Sequence, residues 1–86
     1  MNHAVRILYF ASLREHVGIA EEDLRIDAGT TVHHLLERLR ARDSTWAQAL
    51  GPSQRIMVSV NQELARPETP LGAGDEVAFF PPVTGG

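Results

Sequence analysis

Eighty-six residues with 43% hydrophobic content suffice for one small core and exclude a second domain. The absence of cysteine removes disulfides, thiolate metal sites and cysteine nucleophiles together. A net charge of −3, with every basic residue an arginine and none clustered, excludes nucleic acid as a partner, since phosphate neutralisation needs a concentrated positive patch. No apolar run approaches the roughly 20 residues of a membrane span. The opening Met1–Ala4 leads into a strand pattern and not into a signal peptide, so a soluble cytoplasmic protein is the expectation.

Residues 4–10 are rich in β-branched and aromatic types and predict a strand. Val5, Ile7 and Tyr9 share one face, and Leu8 and Phe10 the other. Ala11–Val17 can form about one helical turn before Gly18 ends it. Leu24 and Ile26 mark a short second strand, paired with the first as a hairpin. Thr30 or Thr31 then offers an N-cap. Val32, Leu35, Leu36 and Leu39 follow at the spacing of one apolar helix face. Glu37, Arg38, Arg40 and Arg42 fall towards solvent. Ser44 is placed to cap a second short helix running through Leu50, with Trp46 and Leu50 as core and Gly51-Pro52 as the stop.

Alternation returns at 55–60, with Ile56, Val58 and Val60 set against Met57 and Ser59. Asn61-Gln62 reads as a turn into a short piece around Leu64. Pro67–Asp75 reads as loop, with Asp75-Glu76 the polar turn that opens a last strand over residues 77–80. Val77 and Phe79 point one way along it, Ala78 and Phe80 the other. If the first set faces the helix with Val5, Ile7 and Tyr9, then Phe10 and Phe80 share a second apolar face. A surface of that kind on a small domain usually marks an interface. The element order favours α+β, with one main helix packed on a mixed sheet whose first and last strands lie side by side.

After Phe80 the pattern gives way to Pro81, Pro82, Val83, Thr84, Gly85 and Gly86. The domain is therefore expected over residues 1–80, with a flexible tail over 81–86. The prolines favour an extended chain and withhold two N–H groups. Six extended residues reach about 20 Å. Two glycines can thread a channel too narrow for side chains. A free carboxylate ionises at a pKa of about 3.3–3.7 and is a poor electrophile at neutral pH, so it must be activated before it reacts. The sequence holds no phosphate-binding glycine loop, and a partner would have to supply that activation.

The segments Ile7–Glu15, Val58–Glu63 and above all Gly74–Gly86 resemble the molybdopterin synthase sulfur-carrier family, nearly end to end. That resemblance implies a ubiquitin-like β-grasp fold with an extended C-terminal tail. It implies that an E1-like adenylyltransferase uses ATP to adenylate Gly86, and that a sulfurtransferase converts the glycyl-adenylate to a 1-thioglycine thiocarboxylate. The sulfur would then pass to a cyclic pyranopterin precursor bound by the large synthase subunit, within a heterotetramer. No cofactor would be held by this chain, and the catalytic side chains would belong to the large subunit. Gly85 and Gly86 are the reacting end. Phe10, Arg14, Leu64 and Phe80 match positions that press against partners, and Pro81, Pro82, Val83 and Thr84 lead the tail into them.

Adjacent His33 and His34 lie about 100° apart around a helix, and with His3 and His16 isolated no metal site is expected. No hydrolase triad or paired-carboxylate spacing stands out. Two alternatives remain open: a ubiquitin-like protein modifier joined through Gly86 to lysines, and a sulfur carrier for thiamine or tRNA thiolation. With no lysine in the chain, a second copy could not be the lysine acceptor.

Overall fold

A computed structural model describes residues 3–51 and 54–82. The elements run β1 (His3–Tyr9), α1 (Ala11–Val17), β2 (Glu21–Ile26), α2 (Val32–Arg40), α3 (Ser44–Ala49), β3 (Met57–Val60), β4 (Glu63–Leu64) and β5 (Glu76–Phe80). One sheet contains all five strands in the order β2-β1-β5-β3-β4. The first and last strands sit side by side at its centre and run parallel, with Ile7 opposite Val77 and Tyr9 opposite Phe79. Every other pairing is antiparallel.

Strand alternation builds the core. Val5, Ile7, Tyr9, Val77 and Phe79 are buried with Val32, Leu35 and Leu39 of α2, Trp46 of α3 and Leu50 just after it. The i, i+3, i+7 stripe of α2 thus meets one pleat face of the central strands. Burying a side chain of this size contributes about 1.5–3 kcal/mol. The rings interlock: Tyr9 meets Trp46 edge-on at 5.3 Å and stacks on Phe79 at 6.1 Å.

Local chemistry sets the boundaries. Gly18, at φ 85°, takes the left-handed cap of α1, a conformation that costs glycine little. Of the two candidate threonines, Thr31 caps α2, its hydroxyl accepting from the His34 N–H at 3.2 Å. Thr30 instead donates to the Asp27 carbonyl. The loop after β4 serves the same helix end: the Val32 and His33 N–H groups donate to the carbonyls of Thr69 and Pro67, satisfying donors that a helix leaves open. Asn61 and Gln62, at φ 52° and 70°, form the two-residue turn with both centres left-handed that suits a hairpin's twist.

Three sequence expectations need correction. Asp43, not Ser44, caps α3, accepting from the Trp46 N–H at 3.2 Å. Its carboxylate reaches the third N–H of the helix, while Ser44 already has helical backbone. The helix ends at Ala49, with Leu50 as its cap. Arg42 does not simply face solvent. Its guanidinium holds the Glu22 carboxylate in two hydrogen bonds of 2.8 and 2.7 Å and lies 4.5 Å above the Trp46 ring.

Glu22 also accepts from the Tyr9 hydroxyl at 2.8 Å. The Arg42 hydrogen bonds hold the Glu22 carboxyl below its ordinary range, outweighing its partial burial. Burial, reinforced by the bond to Glu22, pushes the Tyr9 phenol well up. Edge strand β2 is thereby tied to the turn after α2, on the helix side of the sheet.

Candidate functional site: the outer sheet face and the end of β5

The face of the sheet away from the helices carries the apolar surface that alternation predicts. Leu8 lies opposite Ala78, Ala78 opposite Ser59, and Ser59 opposite Leu64, forming one row across four strands. The next row pairs Phe80 with Met57. Phe10 stands beside it, its N–H donating to the Phe79 carbonyl at 3.1 Å. Phe10 is 45% exposed and Leu64 70%. Phe80 is half-buried, whereas its neighbour Phe79 is completely buried. Side chains that bulky, left in water on one face, are the raw material of an interface.

Charge is arranged differently along this face. Arg6, opposite Asp23 and Glu76, pairs with Asp23 at 3.3 Å and Glu21 at 3.6 Å. These pairs lie on the β2 side of β1, where Glu21 stands opposite Leu8, and leave the row of Phe80 and Met57 at the end where β5 leaves the sheet. At the β3–β4 edge, between Leu64 and the loop at Thr69, lies a cleft of about 400 Å³ that reaches Asn61 and Asp75. Asn61 closes that corner: its side chain donates to Asp75 at 3.0 Å and accepts from the Glu76 N–H at 3.0 Å. No group of three or more His, Asp or Glu side chains suited to a metal ion occurs among the described residues.

Phe10, Leu64 and Phe80 are therefore brought onto one surface, and β5 runs directly from it into Pro81 and Pro82. Arg14 lies one turn along α1 from Phe10, whose carbonyl accepts its N–H at 3.4 Å, and is exposed. Val83, Thr84, Gly85 and Gly86 lie outside the described residues. Met57, Leu8 and Ala78 also belong to the face. The alternation of each strand contains the signal for them, but only the pairing register shows that they adjoin Phe80 and Leu64.

A five-stranded mixed sheet with parallel central β1 and β5 and one main crossing helix defines the ubiquitin-like β-grasp class. The ThiS family model matches residues 7–86, and the chain belongs to the ThiS family. It is 43% identical to the molybdopterin synthase sulfur carrier subunit of Escherichia coli K12, over 95% of this chain and 99% of that protein. It is also similar to the small archaeal modifier protein 1 of Haloferax volcanii, with TM-score 0.72 and 27% identity over 94% of this chain and 99% of the other. A third likeness is to a chain in the complex of subunits 1 and 2 of the Helicobacter pylori molybdopterin-converting factor. There the TM-score is 0.63 with 24% identity over 96% and 99% of the two chains, a likeness of fold.

Proposed function

We propose that this chain is the small, sulfur-carrying subunit of a molybdopterin synthase. It would hold sulfur as a thiocarboxylate on Gly86 and donate it to a cyclic pyranopterin precursor bound by a large subunit. The observation that carries this reading is the apolar outer face, with Phe10 and Leu64 exposed and Met57 and Phe80 half-buried, which ends where β5 passes into Pro81 and Pro82. Full-length identity to a relative named as that subunit supports it.

The chemistry requires partners. An E1-like adenylyltransferase would join the Gly86 carboxylate to the α-phosphate of ATP and release pyrophosphate. A sulfurtransferase persulfide would then displace AMP, and a thiol would reduce the resulting acyl disulfide, releasing the thiocarboxylate and leaving the disulfide on the donor side. A thiocarboxylate is a sulfur nucleophile made without cysteine, which this chain lacks. Two deliveries would build a dithiolene, and docking of two carriers on a dimer of large subunits would give the heterotetramer. The large subunit would supply the pterin site and the catalytic side chains. The test is the intact mass of the chain after incubation with the activating enzyme, ATP and a sulfur donor. Replacement of one oxygen by sulfur is expected; an unchanged mass would reject the carrier reading.

A second reading, a protein modifier, is favoured by the likeness to the archaeal modifier protein. The same mass measurement separates the two, since joining to a target protein gives a much larger species.

A further inference from the structure

Among the described residues, four that are not glycine have left-handed backbone: Ala11, Arg55, Asn61 and Gln62. The last two are explained by their hairpin turn. The first two flank the point where β5 leaves the sheet. Ala11, at φ 54°, turns the chain out of β1 just after Phe10. Arg55, at φ 52°, stands two residues before Met57, whose partner Phe80 is the last residue of β5. Each costs about 1 kcal/mol or more relative to ordinary backbone. Together they stop both neighbouring strands where β5 runs on into Pro81 and Pro82.

Three exposed arginines stand on the segments around this point. Arg14 is one turn from Phe10 on α1. Arg55 precedes β3. Arg66 follows Ala65, whose N–H donates to the Val58 carbonyl at 2.9 Å, so β4 delivers it to the same end of the sheet. Among the described residues none of the three has a carboxylate within ion-pairing distance. Arg6 and Arg42, by contrast, are paired with carboxylates. Within residues 10–17, 54–57 and 65–66 the only acidic residue is Glu15. Glu68 lies in the turn that follows Arg66, so in a chain of net charge −3 the segments bordering the end of β5 carry three arginines without an ion-pair partner among the described residues.

We propose that Arg14, Arg55 and Arg66 form a cationic collar that recognises carboxylates on the rim of the site receiving the tail in the large subunit. The collar deepens the carrier reading and rests on it. The phosphates of an activating nucleotide are a poorer match. They would gather at Gly86, which at full extension lies about 13 Å beyond Pro82, farther than an arginine side chain reaches. Carboxylates beside the entrance would meet the collar as the apolar face docks, and arginine suits that planar pairing. Opposed charges of this kind speed encounter and fix orientation.

The experiment titrates the large subunit with wild-type chain, Arg55→Glu, Arg66→Glu, Arg55→Gly and Phe80→Arg at low and high salt. Arg25→Glu serves as control, because Arg25 lies opposite Ala4 at the far end of the sheet. A thermal melt accompanies each variant. Arg55→Glu and Arg66→Glu are expected to weaken docking at least tenfold at low salt, the loss narrowing as salt screens it, while Arg25→Glu stays within twofold. Arg55→Gly should bind more weakly yet melt higher, because glycine relieves the left-handed backbone while removing the cation. Collar variants indistinguishable from Arg25→Glu, with Phe80→Arg still impaired, would overturn the collar alone. Normal binding by Phe80→Arg would overturn the docking face beneath it.

Discussion

The Phe10 N–H donates to the Phe79 carbonyl at 3.1 Å, carrying the parallel β1–β5 ladder one step past the Tyr9–Phe79 pair. Through that step Tyr9 and Phe79 stay in the core, while Phe10 and Phe80 appear on the opposite face. Two adjacent phenylalanines consequently have different duties.

Phe79→Ala should destabilise the fold by about 3–5 kcal/mol, as expected for removing a fully buried ring. Phe80→Arg should leave the melting temperature nearly unchanged but weaken large-subunit binding by about 2 kcal/mol or more, the scale of an interface hot spot. Thermal melts and a binding titration on both variants check this. Unfolding of Phe80→Arg would mean that the ring belongs to the core.

Glu22 makes stability depend on acid. Arg42 and Tyr9 favour its ionised form in the folded chain, holding its pKa below the ordinary 4.5. The unfolded chain therefore binds more protons in this range. The contribution is complete above pH 4.5 and is lost as pH falls through the lower folded value. Melting temperature followed against pH should drop on the acid side for wild type, and drop less steeply for Glu22→Gln. Arg42→Ala should cost about 1–3 kcal/mol at neutral pH, since it leaves a half-buried carboxylate short of its charged partner. An acid limb identical in wild type and Glu22→Gln would refute the linkage.

Gln62 occupies a left-handed position, φ 70°, in the turn between β3 and β4. Asn-Gly is the favoured pair for such a turn. Gln62→Gly should therefore stabilise the chain by about 0.5–1 kcal/mol, relief of backbone strain exceeding the added freedom of the unfolded state. A denaturant midpoint that fell would show that the Gln62 side chain contributes a contact worth more than the strain.

The central face assignments were readable in advance because alternation places every second side chain on one side. Val5, Ile7, Tyr9, Val77 and Phe79 needed no tertiary information, and the stripe of α2 was equally plain. Glu22 and Arg42, 20 positions apart, had no such signal. They meet because β2 and the turn after α2 converge, and an isolated charged residue reads as solvated until they do. Asp43 and Ser44 are nearly interchangeable as caps by residue type, and only the backbone, extended at Asp43 and helical at Ser44, separates them. The collar is hidden for a similar reason: Arg14, Arg55 and Arg66 are dispersed in sequence, and it takes both the turn of α1 directly after Phe10 and the register of β3 with β4 and β5 to bring them to one end of the sheet. Gly85 and Gly86 stood out by composition alone.

The measurement closest to the central claim is sulfur transfer by a chain lacking Gly86, made alongside its affinity for the large subunit. The deletion shortens the chain by about 3.3 Å and touches no described core contact, so stability should change by no more than ~0.5 kcal/mol. Docking should persist, because Phe10, Leu64 and Phe80 remain on the sheet. Molybdopterin formation should be abolished, since misplacing a reacting atom by even about 1 Å can cost about 100-fold. Retained affinity with lost transfer is the predicted result. Substantial transfer from the truncated chain would contradict it and place the sulfur elsewhere than on Gly86.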